Sequence, residues 1–364
     1  MGSPETTTAA TRTLDGDALR RLMLGASVLG TGGGGSFSEA RAIVAALERR
    51  GLFPTLLPAS ALDAEALGVS TALLGGGLSH ADLERLLRST SEPPSLQGAR
   101  ALERYLGRRI DFVFAAELGP QNTLEAVQLA ANLGVPIVDG DCAGRAMPEL
   151  QQSTLSLHNI ALNPYVVTSF QGDVAIVPHA ASNERNEALC RALAQASGGV
   201  VALTGFTVTA RTLRPALIEG TLARCIEIGA CIGPQHYPAE RIAARGNGRV
   251  AFRGRVTEFE IGNVGGFFRG HVRLAGTDAW AGEHYRIGIQ NEFMWSWRND
   301  RVDVCCPDLI CVLDSASGVG KVTYGQGFEN AIEIGEDLTV LHLPCPAVWS
   351  SEQARALFPP PPTG

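Results

Sequence analysis

The stretch "PIVDGDCAGRAMPELQ", Pro136 to Gln151, holds the densest set of reactive side chains in the chain. Asp139 and Asp141 stand two apart where an apolar run ends, with Gly140 between them, and Cys142, Arg145 and Glu149 follow. Two carboxylates held close drive their ionisation apart, which suits one to be a base and the other an acid. Arg145 would keep one of them charged, or grip a substrate carboxylate through two parallel hydrogen bonds. With a histidine from elsewhere, Asp139 and Asp141 would also suit a divalent metal ion. A purely structural use competes: Asp139 would cap the next helix, and Arg145 would pair with Glu149 four residues on. Buried acids at a strand end are costly without a task, so chemistry is the favoured reading. Asp139, Asp141, Arg145 and Glu149 therefore form the expected catalytic set, joined by Glu117 from "AAELGPQN" at a second strand end. Cys142 is expected not to act as nucleophile, because two acids flank it and no histidine lies near in sequence.

A second signal is "VLGTGGGGSFSEA", where four consecutive glycines precede Ser36-x-x-Glu39, the spacing of a capping box. The amphipathic run Ala40, Ile43, Val44, Leu47 up to Gly51 then reads as a helix. Thr31, Gly32, Gly33, Gly34, Gly35 and Ser36 are thus expected to present backbone N–H groups to a substrate oxygen at a helix N-terminus. The loop is neither a Walker A motif, lacking Gly-Lys-Ser/Thr, nor a Rossmann fingerprint, since a helical pattern precedes it. Amide-bearing and acidic side chains in otherwise apolar runs, Asn122, Asn291, Glu292 and Asp308, complete the expected substrate contacts. Seven histidines show neither HxH nor HExxH spacing, so spacing alone argues no metal.

Elements that could position these groups follow from hydrophobic periodicity. "TALLGGG", "RIDFVFAAE" and "GVPIVDGD" read as buried strands with chemistry at their ends: Gly75 to Gly77, Glu117, and the Asp pair. Pro120 to Leu133 reads as a helix between the last two, giving a strand–helix–strand unit with parallel strands. "YVVTSF" and "VAIVPHA" read as strands and 183–196 and 213–231 as helices, and from Gly248 the alternation is mostly β, a sandwich or small barrel. The fold class is α/β: an N-terminal α/β domain with a largely parallel sheet, then a β-rich C-terminal domain. The expected divisions are a disordered leader (1–14), the α/β domain (15–164), a middle α/β or α+β region (165–247), the β-rich domain (248–350) and a tail (351–364).

A formal charge of −7 over 364 residues, with no basic face, argues against nucleic acid. No apolar run approaches the ~20 residues of a membrane helix, and the N-terminal residues have no apolar core of the signal-peptide kind. Eight cysteines without CxxC spacing read as reduced core residues of a cytoplasmic protein. The expected partners are a small-molecule substrate and further copies of the chain in a homo-oligomer, and neither nucleic acid nor membrane.

Taken in order, "LGTGGGGS", "AAELGPQN", "VPIVDGDCAGRAMPELQ", "ALIEGTLARCIEIG", "GGFFRG", "IGIQNEF" and "CPDLICVLD" resemble the S-methyl thiohydantoin desulfurase family, also described as hydantoinase/oxoprolinase-like. The resemblance spans about residues 15–350. Its most specific piece is an Asp-x-Asp-x-x-Gly-Arg-x-x-Pro-Glu string matched by Asp139, Asp141, Gly144, Arg145, Pro148 and Glu149. Cys142 and Phe293 depart from the family pattern. The resemblance implies hydrolysis at an sp² carbon of a five-membered cyclic amide or thioamide-derived ring, with loss of a thiol, on a two-part fold. Two other readings use the same residues: a cyclase or acyl-transfer enzyme on a biosynthetic intermediate, and a non-catalytic small-ligand-binding or regulatory protein.

Overall fold

The computed structural model describes residues 11–362 except 76–79, 88–89, 91, 234–238, 265–266 and 325–326. Gly76 and Gly77, the paired glycines Gly265 and Gly266, and most of the expected leader therefore lie outside the described residues. The chain opens with β1 (Arg12–Thr13), α1 (Gly16–Leu29), α2 (Phe37–Arg50), β2 (Thr55–Leu57), β3 (Leu67–Gly75), α3 (His80–Leu87) and α4 (Pro94–Leu106). Next come β4 (Phe112–Phe114), α5 (Pro120–Leu133), β5 (Ile137–Val138), β6 (Gly140–Asp141), α6 (Thr154–Leu157), β7 (Tyr165–Thr168) and β8 (Val174–Val177). α7 (Asn183–Ala196), β9 (Val200–Thr209), α8 (Ala210–Leu213), β10 (Ile218–Glu219), α9 (Thr221–Gly229) and α10 (Ala239–Arg245) follow.

Eight strands form one mixed sheet in the order β1-β2-β5-β4-β3-β9-β7-β8. The four neighbours β2, β5, β4 and β3 run parallel, and β1, β9, β7 and β8 are added antiparallel. Both faces of the parallel centre are covered, so its strands are mostly apolar on both faces instead of alternating, with Thr55 in β2 and Ser70 and Thr71 in β3 as the polar exceptions. Successive side chains part to opposite faces. Val113 and Ile137 join the cluster under α1, α2 and α5, while Phe112, Phe114 and Val138 join the cluster with Cys190 of α7. Each such fully buried side chain stabilises the domain by roughly 1.5–3 kcal/mol relative to exposure.

The remaining strands are β11 (Arg249–Val264), β12 (Phe267–Gly276), β13 (His284–Gln290), β14 (Glu292–Arg298), β15 (Arg301–Cys305), β16 (Leu309–Asp314) and β17 (Asp337–Leu343). They form an antiparallel sheet ordered β15-β14-β13-β12-β11-β17-β16. It curls so that β16 at one end comes against β14 and β15 at the other. The largely parallel centre of the first sheet and the β-rich C-terminal region agree with the expected α/β class.

Four local expectations are corrected. The leader ends earlier than residue 14, because Arg12 and Thr13 pair with Leu56 and Thr55 and Leu14 is fully buried. The end of the chain is docked over much of its length: α11 (Glu352–Arg355) is followed by Phe358, whose ring meets Trp349 edge-on at 5.2 Å, and Trp295 Nε1 donates to the Pro359 carbonyl at 3.0 Å. The helix expected over 213–231 is reduced to α9, because Pro215 sits in a 3-10 turn and Gly220 takes φ +77° in front of it. No helix follows the Asp-x-Asp string directly; turns carry the chain from Cys142 to the four-residue α6.

Candidate active site

A cleft with a cavity volume of about 110 Å³ lies between the mixed sheet and the curled sheet. Its floor is the end of β3, Ser70 to Gly75, and its far wall carries Phe268, Asn291, Glu292 and Tyr324. Glu117 enters from the loop after β4, Asn122 from α5, Glu149 from the turn before α6, and Glu187 and Arg191 from α7. The carboxyl ends of parallel strands are where such sheets gather ligands.

Glu117 and Glu292 are the central groups. Both are buried, at 7% and 6% exposure. Asn122 Nδ2 donates to Glu117 Oε1 at 2.6 Å, and the Met147 N–H donates to Glu117 Oε2 at 2.5 Å. Burial pushes Glu117 up to about 7 against these two hydrogen bonds, and the charges of Asp141 and Glu187 push the same way as burial. Glu292 is raised further, to about 8, first by burial and then by the charge of Glu117; Arg145 and Arg191 oppose the shift. Glu292 Oε2 has no hydrogen-bond partner among the described residues. The two carboxyls therefore differ: one is held by two donors that favour its anion, and the other is poised as a neutral acid with an oxygen to offer.

The neighbours complete a polar rim. Arg191 Nη2 pairs with Glu187 at 2.6 Å on α7, and its guanidinium lies over the Phe267 ring at 4.2 Å. Glu187 Oε2 also accepts from the Leu150 N–H at 3.1 Å. Gln290 Nε2 donates to Glu149 at 3.2 Å. The Tyr324 hydroxyl accepts from the Gly35 N–H at 3.0 Å. Of the groups named from sequence, Glu117, Asn122, Glu149, Gly34, Asn291 and Glu292 thus come together.

Asp139 and Asp141, the expected base and candidate metal ligands, lie outside the cleft, as does Arg145. β6 leaves the main sheet to pair with β10, Asp141 opposite Ile218, which carries both acids away from the strand-end opening. Asp139 Oδ1 accepts from the Ala223 N–H at 3.0 Å in the first turn of α9, a helix far along the chain and not the one expected directly after the string. Asp141 is fully buried and its Oδ2 accepts from the Ala143 and Gly144 N–H groups at 2.9 and 2.7 Å. Among the described residues neither acid joins a set of three ligand atoms suited to an ion; the set that does is Glu258, Glu260 and His271 on the curled sheet. Arg145 does not pair with Glu149: Nε donates to the Ala146 carbonyl at 3.0 Å, Nη2 to the Phe293 carbonyl at 3.3 Å, and Nη1 meets Cys306 Sγ. It lies behind Glu292, whose charge it feels. Cys142 is fully buried and its thiol is pushed well above its ordinary value by burial and then by Asp141, in keeping with a non-nucleophilic residue.

The glycine loop has a different use from the one expected. The N–H groups of Gly32, Gly33, Gly35 and Ser36 already donate to Lys321 O, Gly30 O, the Tyr324 hydroxyl and Gln121 Oε1. They are therefore not an open oxyanion site. Thr31 Oγ1 is tied to the Val312 and Lys321 carbonyls at 3.0 and 3.1 Å, and Ser36 caps α2. What the glycines supply is room. A Cβ on Gly33 would stand 2.2 Å from Glu292 Oε1, and one on Gly34 would stand 2.2 Å from the Gly119 Cα. Asn291 lines the cleft, but its side chain is engaged by the Phe268 N–H at 2.8 Å and the Pro148 carbonyl at 3.0 Å, and its φ of +58° makes the sharp return between β13 and β14. Asp308 is outside the cleft, bound to His342 Nε2 at 2.8 Å and to the Cys345 N–H at 3.1 Å.

Sequence reasoning missed Glu187, Arg191 and Tyr324. Glu187 and Arg191 have i,i+4 spacing in a charged helix, which resembles a solvated face; only the sheet packed beneath α7 turns the pair inward.

Fold and cleft together define the class: an α/β domain whose strand ends are covered by a curled antiparallel sheet, with acidic side chains converging between them. Within that class, the S-Me-THD-like N-terminal domain model matches residues 17–179 and the S-Me-THD-like C-terminal domain model matches residues 181–364, so the chain belongs to the S-methyl thiohydantoin desulfurase-like family. An X-ray structure of a protein from Chromobacterium violaceum superposes with a TM-score of 0.76 over 96% of both chains at 21% identity, which shows a shared fold. No curated protein matches the sequence. No helix among the described residues is long and apolar enough to cross a membrane.

Proposed function

We propose that the cleft hydrolyses a small cyclic amide-type ring of the S-methyl thiohydantoin kind, with Glu117 and Glu292 as its acid–base pair. The observation that carries this reading is a pair of buried carboxyls on one cleft, one held by two donors and the other with an oxygen left unpartnered. Family membership supplies the substrate class. Glu117, in the ionised form that Asn122 and Met147 favour, takes a proton from water as the oxygen attacks the ring carbon that bears the methylthio group. Glu292, protonated, gives its proton to the departing sulfur. The C–S bond breaks and methanethiol leaves, and the added hydroxyl passes its proton to the neighbouring ring nitrogen as the ring carbon becomes a carbonyl. A proton passing from Glu117 to Glu292 restores the starting state. The surplus of acidic groups, Glu117, Glu149, Glu187 and Glu292 against Arg191, suits a ring that presents N–H donors.

The test is incubation with S-methyl thiohydantoin in ¹⁸O-water. The expected products are methanethiol and a hydantoin carrying one ¹⁸O; absence of thiol release from folded protein overturns the reading.

A further inference from the structure

Beside the polar cleft lies a second chamber, with a cavity volume of about 100 Å³. The two share Leu73, Gly75, Asn122, Phe268 and Tyr324, so they lie against a common wall. Their chemistry differs. The first is ringed by carboxylates, whereas among the described residues no charged side chain lines the second; its own walls are Leu83, Val200 and Phe328, each 8–9% exposed, with Gly35, Ser36 and Gln121 at the start of α2 and α5. Tyr324 stands at the junction. Its ring lies 6.0 Å from Phe268 and meets Phe328 edge-on at 5.3 Å, and its hydroxyl is fixed by the Gly35 N–H. The partition is therefore built from packed aromatics anchored to the start of α2. Against Leu73, Leu83, Val200, Phe268 and Phe328 water finds few hydrogen-bond partners, Ser36, Gln121 and Asn122 being the polar exceptions, and hydrocarbon that displaces it from these walls gains the transfer free energy of its buried surface.

We propose that this chamber is a substituent pocket: it takes an apolar side chain carried by the ring whose polar edge is held at Glu117 and Glu292. The occupant is a hydrocarbon group of the substrate, because the chamber shares a wall with the polar cleft, its unshared walls are mostly Leu83, Val200 and Phe328, and among the described residues none of its lining side chains is charged. Leu83, Val200 and Phe328 are then specificity-determining residues, and the substrates are rings with an aliphatic or aromatic arm, not bare ones. This inference rests on the reading of the cleft as a ring-hydrolysing site.

The experiment is calorimetric titration with hydantoin and with 5-benzylhydantoin, both non-reacting probes, on the wild-type chain and on Val200→Phe and Leu83→Phe. The second variant guards against misfolding of the first, and thermal melting reports on both. Expected are binding of the benzyl compound at least tenfold tighter than of hydantoin, and loss of that ratio in a folded variant while hydantoin affinity holds. Hydantoin binding with no gain from the benzyl group overturns the pocket and leaves the ring reading intact. If neither hydantoin binds, the ring reading fails. The chamber is then judged by crystals of the chain under xenon pressure: xenon against Leu83, Val200 and Phe328 sustains an apolar subsite for another substrate, and its absence removes the proposal.

Discussion

Two acidic regions of this molecule look alike in sequence and differ in the fold. Asp139 and Asp141 flank a glycine at a strand end, and Glu117 ends the neighbouring strand, so all three begin as buried carboxyls at one edge of a parallel sheet. The Asp pair turns with β6 toward β10 and meets backbone N–H groups: Ala223 for Asp139, Ala143 and Gly144 for Asp141. Glu117 faces the cleft, and there it meets Glu292 from the other sheet. A buried carboxylate surrounded by backbone donors holds chain segments in place. One set opposite a second carboxyl, with an oxygen unclaimed, has proton affinity to lend. Burial raises both kinds, and Asp141 and Glu292 each keep one oxygen without a partner among the described residues, so what distinguishes them is that Glu117 and Glu292 line the cleft.

The sharpest way to break this contrast is to neutralise each side in turn. Glu117→Gln and Glu292→Gln should each lower kcat/KM on S-methyl thiohydantoin by at least about a hundredfold, the usual scale for an acid–base partner, with little change in melting temperature. Near-normal turnover in either would remove the pair from the chemistry. Asp141→Ala should do the reverse. Two buried N–H groups lose their acceptor, which costs about 2–4 kcal/mol of stability in denaturant titration, while folded molecules keep activity within about tenfold. Asp139→Ala, which removes one bond at the start of α9, should cost about 1 kcal/mol. An Asp141→Ala protein that melts normally but is inactive would reverse the assignment. The smallest effect sharpens the comparison through pH. Glu117, Glu125, Asp141 and Glu292 are raised to about 7, 7, 6 and 8, so the native chain binds more protons than the unfolded one above the ordinary carboxylate range. Their contribution to stability is therefore fullest below about pH 4 and is lost as pH rises toward 8. Melting temperature should fall between pH 5.5 and 8.5, and the Glu292→Gln protein should fall less; parallel curves for the two proteins would show that Glu292 is not protonated in the native state.

Local signals told the truth about local structure. Ser36 caps α2, which runs to Arg50 and stops at Gly51 in the left-handed region, and α5 occupies Pro120–Leu133. These features depend on side chains within one turn of the backbone they cap, which sequence spacing records. The Asp string failed as a site for a related reason. Spacing places two carboxyls at a strand end, but whether their oxygens find N–H groups depends on β10 and α9, far along the chain. Glu117 and Glu292 come from different sheets, and no periodicity couples them. Glu292 was visible only as a polar residue in an apolar strand, a sign of need for a partner without a hint of which one. The run of four glycines was a true signal of close approach, though what approaches is protein: Gly119, Gln121 and Glu292.

That crossing has a consequence for how the sequence can change over time. Gly34 and Gly119 meet so closely that a methyl group on either would overlap the other's Cα at 2.2 Å, and a Cβ on Gly30 would reach the Leu118 carbonyl at 2.4 Å. Neither glycine can be exchanged while the other backbone stays where it is, and no compensating trim exists, because the partner already has no side chain to lose. The two loops are thereby bound to a common history. A lineage that alters one must rebuild the other in the same step or leave both untouched, so divergence is steered toward walls such as Leu83, Val200 and Phe328, where a change of side chain leaves the crossing as it is.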